Sequence, residues 1–265
     1  GMGVYKLDMN KCILERYISA NYQSYNEMNG DNINDVFVDE SKRIWLANYP
    51  TGITVIDYRY ENYHWMKHSM GNKQSIVNDQ VHAVIEDSDG DLWFGTSNGI
   101  SLYNSGTGEW HSFLSSFNHQ LKDKNHIFIT LCEVSPGIIW AGGYTSGIYK
   151  INKADLSVEY FSPYLLSHIN MRPDKYIRDM IKDSKGHIWS GGYYNLKCFD
   201  LATNSVRLYP GVSSITAIAE KDSHNMWIGT AMGLYLLNRD SGKYEYIKLE
   251  AGSTYINTLY QADNG

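Results

Sequence analysis

Residues 86–104 read EDSDGDLWFGTSNGISLYN, and the same order of residue types returns along most of the chain. The centre of this stretch is an apolar residue, a tryptophan, any residue and a small residue. Five copies of that centre occur, at Ile44-Trp45-Leu46-Ala47, Leu92-Trp93-Phe94-Gly95, Ile139-Trp140-Ala141-Gly142, Ile188-Trp189-Ser190-Gly191 and Met226-Trp227-Ile228-Gly229. Successive tryptophans are 48, 47, 49 and 38 residues apart. The chain is therefore built from repeats, and the repeat unit indicates the fold.

Each repeat contains four short segments with the character of β-strands. An apolar run such as Val84-Ile85 precedes the tryptophan segment, and a glycine-led segment such as Gly99–Tyr103 follows it. An aromatic-rich run such as Lys243-Tyr244-Glu245-Tyr246 closes the unit, and turn residues such as Asp87-Ser88-Asp89-Gly90 separate the segments. Four strands in about 40–50 residues are typical of a propeller blade. The sequence predicts an all-β fold, a β-propeller of four-stranded antiparallel blades.

The repeat predicts a single propeller fragment over residues 1–265, with five complete blades, two partial ones, and about six to seven blade positions. The predicted units are the outer strands of a partial blade over 1–31, complete blades over 32–79, 80–125, 126–175, 176–213 and 214–253, and the first strand of a partial blade over 254–265. A closed propeller leaves no long open edge, so we expect a piece of a longer array. The alternative is that the two partial ends form a sixth blade without its second strand.

The composition of the chain argues against several classes of function. The net charge of −6 argues against binding to nucleic acid or to an anionic membrane surface. Three cysteines without a CxxC pair indicate neither a disulfide framework nor a zinc site, and no cofactor is indicated. No apolar run is long enough to cross a bilayer. The first residues, Gly1-Met2-Gly3, look like the remnant of a cleaved tag, so the lack of a signal peptide is uninformative.

The repeated residues have structural explanations. A tryptophan in the middle of a strand of every blade is expected to pack between adjacent blades. The small residue two positions later is expected to let the neighbouring blade approach closely. The acids before the first turns are expected to cap their own turns. They are Asp39, Asp87, Asp183 and Asp222.

The positions where the repeats differ are better candidates for binding. Loops between the second and third strands lie on one face of a propeller, and loops on a rigid scaffold often carry binding residues. The candidate ligand-binding residues in these loops are Tyr49, Asn98, Tyr144, Thr145, Tyr193 and Tyr194. Aromatic rings beside amides and hydroxyls suit a sugar. The alternative is that the tyrosines fill the mouth of the propeller.

One column of aligned residues lies at the start of each first strand, and it consists of Asn34, His82, Ile129, Arg178 and Thr216. Asp35 and Asp179 occupy the next column. Arg178 and Asp179 complete the candidate binding site, because a charge in a channel needs a partner or a ligand. The alternative is a structural ion pair between them. The fourth repeat has Asn195 where others have glycine, which predicts a positive φ there.

The pattern apolar-Trp-apolar-Gly-Thr-x-x-Gly-apolar-x-apolar-Asn, preceded by Glu-Asp-x-x-Gly, resembles the two-component regulator propeller repeat. Residues 86–104 are the best copy and residues 222–238 are nearly as good; the third repeat departs at 135–137 and the fourth at 193–195. The resemblance implies the periplasmic sensor region of a hybrid two-component histidine kinase/response regulator, of the kind found in gut Bacteroidetes such as Bacteroides. Its implied partners are an oligosaccharide or other small ligand, further blades and a kinase region outside this chain.

Three functions follow as hypotheses. The first is a sensor module without catalytic residues of its own. The second is a propeller enzyme, either a polysaccharide lyase or glycosidase or one resembling streptogramin lyases, for which Asp35 and Asp179 are the only candidate carboxylates. The third is a scaffold for dimerisation, built on the long loops 114–126 and 163–175 that precede the third and fourth blades.

Overall fold

The computed structural model describes residues 4–8, 13–18, 32–50, 52–56, 66–116, 126–161, 175–249 and 254–260. Within these ranges the regular secondary structure is β-strand, and no helix there is long and apolar enough to cross a lipid bilayer. Every strand pair is antiparallel. The all-β prediction is confirmed.

The strands follow the predicted repeat. An N-terminal hairpin contains β1 (Val4–Asp8) and β2 (Ile13–Ile18). Blade 1 contains β3 (Ile33–Val38), β4 (Ile44–Asn48) and β5 (Gly52–Ile56). Blade 2 contains β6 (Val81–Glu86), β7 (Leu92–Thr96), β8 (Gly99–Tyr103) and β9 (Trp110–Phe113). Blade 3 contains β10 (Phe128–Ser135), β11 (Ile138–Gly143), β12 (Ile148–Asn152) and β13 (Ser157–Phe161). Blade 4 contains β14 (Ile177–Lys182), β15 (Ile188–Gly192), β16 (Leu196–Asp200) and β17 (Ser205–Tyr209); blade 5 contains β18 (Ile215–Glu220), β19 (Asn225–Thr230), β20 (Gly233–Asn238) and β21 (Tyr244–Ile247).

Blades 2 to 5 are four-stranded sheets whose strands pair in chain order. In blade 1 the described residues give three strands, and the fourth is represented by a single bridge between Ile53 and Met66. Five consecutive blades of this kind are a β-propeller arrangement, as the sequence predicts.

Within the described ranges, the partial blades expected at the two ends are represented only by an N-terminal hairpin and by a segment without strand pairing. β1 and β2 pair only with each other, as a two-stranded sheet. Residues 254–260 contain no strand, although they lie where a first strand was expected, and residues 261–265 are outside the described ranges. Without a second strand beside it, this segment has no partner for a complete ladder of hydrogen bonds.

The tryptophans pack between blades, as predicted. Trp45, Trp93, Trp140 and Trp189 are each at most 3% exposed. Each belongs to a core cluster shared with the following blade, for example Trp93 with Leu131 and Ile139 of blade 3. Trp227 of blade 5 is only half-buried and lies beneath the Lys221 ammonium. The core of the propeller is thus a series of interfaces between sheets.

Small residues after the tryptophans allow these interfaces to close, again as predicted. A methyl group on Gly142 would lie 2.7 Å from Cγ2 of Ile177 in the next blade. Gly191 and Gly229 bear the same relation to Ile215 and Ile256. Ile256 therefore occupies the position of a first-strand residue, although its segment has no strand pairing.

The expectation of a positive φ at Asn195 is wrong. Gly99 and Gly233, at the equivalent place, have φ values of +99° and +139°, but Asn195 does not have a positive φ. In blade 4 the pairing of β15 with β16 ends at Ser190↔Lys197, whereas in blade 2 it continues to Thr96↔Gly99. The longer connection in blade 4 reverses the chain without a left-handed residue.

Candidate functional site

Every first strand carries a β-bulge at the same place. The register shifts between Ile33/Asp35, Val81/Ala83, Phe128/Thr130, Ile177/Asp179 and Ile215/Ala217. The residues inside these bulges are Asn34, His82, Ile129, Arg178 and Thr216, the column that the sequence alignment of the repeats picked out. A bulge bends its strand and redirects a side chain. We call these five positions the bulge column.

Side chains of the bulge column approach one another across the centre of the propeller. Asn34 Nδ2 lies 3.0 Å from His82 Nδ1 in the next blade. The Arg178 guanidinium of blade 4 donates a hydrogen bond of 2.7 Å to Asn257 Oδ1. Asn257 Nδ2 in turn donates to the Ile33 carbonyl of blade 1 at 2.5 Å. Because the two bonds of Asn257 link blade 4 to blade 1, which are not neighbours in sequence, the column faces a common central channel.

Three polar residues of the next column, in blades 1, 3 and 4, each tie their blade to the one after it. Asp35 Oδ2 accepts a hydrogen bond of 3.1 Å from the Val84 N–H of blade 2. Asp179 Oδ2 accepts one of 2.6 Å from the Ile218 N–H of blade 5. Thr130 Oγ1 of blade 3 likewise accepts a hydrogen bond from the Met180 N–H of blade 4. Burial raises the pKa of Asp35 to about 7 and that of Asp179 to about 6, against the backbone hydrogen bonds that lower both. These acids are structural links between blades.

Arg178 and Asp179 are adjacent in the channel wall but do not form an ion pair, since no nitrogen of Arg178 lies within 4.0 Å of a described carboxylate. Asp179 bonds to the Ile218 backbone and Arg178 to Asn257. The bulge separates the two side chains because it changes the register between Ile177 and Asp179. The alternative of a structural ion pair is therefore not what the structure shows.

His82 was in the predicted column but not among the predicted site residues. Its Nε2 lies 2.8 Å from Ser97 Oγ, and its ring stacks on Tyr49 with centroids 5.7 Å apart. Burial, with a smaller contribution from the charge of Arg178, lowers the pKa of His82 to about 4. The imidazole is therefore neutral at pH 7, with one ring nitrogen as donor and the other as acceptor.

Three tyrosines form a contiguous group beside the channel. Tyr176, directly before β14, stacks on Tyr193 with ring centroids 4.2 Å apart and an interplanar angle of 25°. Tyr144 meets Tyr176 edge-on, at 5.3 Å and 85°. Tyr144 and Tyr193 remain 43% and 53% exposed. Sequence analysis missed Tyr176, although its position immediately before the bulged strand places it at the mouth. We call Tyr144, Tyr176 and Tyr193 the tyrosine cluster.

Two of the other predicted residues, Tyr49 and Asn98, lie apart from this cluster. Tyr49 is 37% exposed and belongs with His82 in blades 1 and 2. Asn98 ties its loop to the segment after β9, since its Oδ1 accepts a hydrogen bond of 3.0 Å from the Ser116 N–H. Thr145 and Tyr194 are exposed on the loops that carry Tyr144 and Tyr193. The structure thus assembles only part of the predicted set at one place.

The site provides binding groups and few reactive ones. Within the described ranges no group of three His, Cys, Asp or Glu side chains could hold a metal ion. Each oxygen of Asp35 accepts one backbone hydrogen bond, from Val36 or Val84, and these bonds explain the carboxylate as a structural group. The arrangement offers instead aromatic faces, one guanidinium, and amide and hydroxyl groups.

Comparison with known proteins identifies one repeat. Residues 75–98, which span β6, the first turn and β7, match the family described as Two component regulator propeller. The resemblance noted in the sequence is thereby confirmed for this repeat. A search of the curated proteins gave no match.

Solved structures resemble most of the chain. The extracellular domain assigned to the hybrid two component system BT3049 of B. thetaiotaomicron has a TM-score of 0.73 at 20% identity, over 97% of this chain and 34% of that one. The extracellular domain of BT4673 from the same organism gives 0.62 at 17%, over 91% and 29%. The chain therefore spans about a third of the length of these domains. At such identities the likeness concerns the fold.

Proposed function

We propose that this chain, which carries a two-component regulator propeller repeat, is a sensor module on the outer side of the cytoplasmic membrane. It binds an oligosaccharide at the tyrosine cluster and passes the signal to a kinase region outside the chain. The module itself performs no chemistry. The matching repeat and the extracellular origin of the similar structures support this class and this location.

The observation that carries the sugar proposal is the exposure of the tyrosine cluster. Rings that only filled the mouth would be buried against one another, but Tyr144 and Tyr193 keep about half of their surface in solvent. The stack of Tyr176 on Tyr193 holds the latter in a fixed orientation. A fixed exposed ring beside amides and hydroxyls can cover the C–H face of a sugar at little cost in side-chain entropy.

Calorimetric titration with a panel of oligosaccharides tests this proposal. We expect at least one to bind, and we expect Tyr193→Ala to weaken that binding about tenfold, the scale of one aromatic contact. Tyr246→Ala is the matched control, because Tyr246 is similarly exposed at 50% but lies on the outermost strand of blade 5. Absence of binding by the whole panel, or equal losses in the two variants, would contradict the proposal.

A further inference from the structure

Arg178 is a cation without a counterion in the described part of the channel. Its guanidinium has five N–H donors, and the structure shows one hydrogen bond, to the neutral Asn257. The residue is half-buried. Withdrawing a guanidinium from water without pairing it is costly. The remaining N–H donors of this half-buried guanidinium are therefore available to an anion.

The nearest acids do not fill this role. Asp35 and Asp179 lie close enough for the charge of Arg178 to lower the pKa of each, but their carboxylates bind backbone N–H groups of the following blades. Their burial keeps a share of each protonated near neutral pH. His82, the other titratable member of the bulge column, is neutral. Neither acid pairs with the guanidinium, so among the described residues the remaining N–H donors of Arg178 have no carboxylate partner.

Arg178 is also adjacent to the tyrosine cluster. Tyr176 lies two residues before Arg178, next to the start of β14, and the charge of Arg178 acts to lower the pKa of its hydroxyl group. Side chains two apart along a strand share a face, although the bulge at Arg178 shifts its direction towards the channel. A sugar ring that covers Tyr193 would thus extend towards the guanidinium.

We propose that the ligand is an acidic oligosaccharide, whose uronate carboxylate pairs with Arg178 while a neighbouring ring stacks on Tyr193. This inference rests on the proposed function and specifies the ligand class of the same site. A planar carboxylate matches the two parallel N–H donors of a guanidinium, which gives a bidentate pair. Asn257 orients Arg178 and is a positioning residue.

The test compares each acidic oligosaccharide with its carboxyl-reduced form, which keeps the stereochemistry and removes the charge. Oligomers of galacturonate, of mannuronate and guluronate, and of glucuronate with hexosamine serve as probes in calorimetric titrations of the chain. We expect an acidic member to bind at least tenfold more tightly than its reduced form, which is the scale of one charge-assisted pair. We expect Arg178→Gln to abolish that preference and Arg178→Lys to restore part of it.

Arg207→Gln is the matched control, because it removes the same charge from an outer strand, where Arg207 bonds the Asp240 carbonyl. Thermal unfolding of both variants checks that the fold is retained; if Arg178→Gln does not fold, the reduced oligosaccharides alone decide. Equal binding of acidic and reduced forms overturns the charge inference and leaves the sugar proposal standing. A preference for sulfate over carboxylate also overturns it. Failure of every oligosaccharide overturns both.

Discussion

The aspartates of the first turns show how a single side chain can support a blade. Asp87 accepts hydrogen bonds from the N–H groups of Asp89 and Asp91 and from Trp93 Nε1, so it caps the turn and fixes the tryptophan. Asp39 and Asp183 bind Trp45 and Trp189 in the same way. The sequence predicted the cap but not the indole bond. That bond becomes visible only when the turn folds back over the neighbouring strand.

A cation from the next blade completes two of these turns. Lys153 of blade 3 lies 2.7 Å from Asp87 and Asp89 and 2.9 Å from Asp91. Arg239 of blade 5 lies 3.3 Å from Asp183 of blade 4. Both cations directly follow the third strand, so the repeat brings them to equivalent positions. Burial alone would lower the pKa of Lys153, but its three carboxylate partners raise it.

We expect Lys153→Met to lower the free energy of unfolding by about 1–3 kcal/mol, because the buried Asp87 carboxylate loses its cation. Chemical denaturation measures the change. Lys150→Met, at a half-buried position of the strand that precedes Lys153, should cost less than about 0.5 kcal/mol. Equal losses in the two variants would mean that the link between the blades contributes nothing specific.

Asp35 predicts a pH dependence of stability. Its pKa is about 7 in the folded chain and 3.8 in the reference state. The folded state therefore binds more protons than the unfolded state between these two pH values. The contribution of Asp35 to the free energy of unfolding is complete below pH 3.8 and is lost as the pH rises to about 7. A shift of that size corresponds to about 4 kcal/mol, an upper bound because Asp35 keeps some contact with water.

Denaturation curves of Asp35→Asn between pH 4 and pH 8 check this expectation. The variant should lose less stability than the unsubstituted chain as the pH rises, since asparagine keeps an acceptor for the Val84 N–H and does not ionise. Glu159→Gln, at an exposed position of β13, should leave the slope unchanged. Parallel curves for the unsubstituted chain and Asp35→Asn would contradict the assigned burial of this carboxylate.

At the scale of the elements, the approach of one sheet to the next depends on glycine. Gly142→Ala would place a methyl group 2.7 Å from Cγ2 of Ile177. We expect the free energy of unfolding, measured in thermal scans, to fall by about 1–3 kcal/mol, the usual cost of overpacking. At Gly106 the nearest atom to an added methyl group is 3.5 Å away. Gly106→Ala should therefore leave the unfolding midpoint nearly unchanged in the same thermal scans.

The elements were predictable because strand, turn and spacing recur in every blade, so five weak signals reinforce one another. The column of Asn34, His82, Ile129, Arg178 and Thr216 followed from the same alignment. The bulge that directs it inward did not, since a bulge depends on pairing between strands. The prediction of a positive φ at Asn195 was wrong, and Tyr176 was missed as a site residue, for a related reason. Each lies at a loop boundary, where the length of pairing in one blade, and not the repeat, sets the conformation.

At the scale of the whole molecule, the segment 254–260 joins the last blade to the first. The Ile256 N–H donates to the Thr230 carbonyl of blade 5, and Ile256 packs against Gly229. Asn257 bonds the Ile33 carbonyl of blade 1 and accepts from Arg178 of blade 4. Asn257, which follows the last blade, therefore contacts both the first blade and Arg178, the candidate ligand-binding residue. The repeat pattern could align Asn257 with the bulge column, but only the folded chain shows its two partners.

We expect Asn257→Ala to loosen blade 1 without unfolding blades 2 to 4, because it removes the bond to the Ile33 carbonyl and leaves that edge less protected. Amide hydrogen exchange should increase in β3 and β4 and change little in β7 and β11. Asn98→Ala is the control, since it removes an amide whose bond to the Ser116 N–H joins two parts of the same blade. Increased exchange in blade 1 of that variant as well would show that the effect is not specific to Asn257. Unchanged exchange in Asn257→Ala would show that blade 1 does not depend on the segment 254–260.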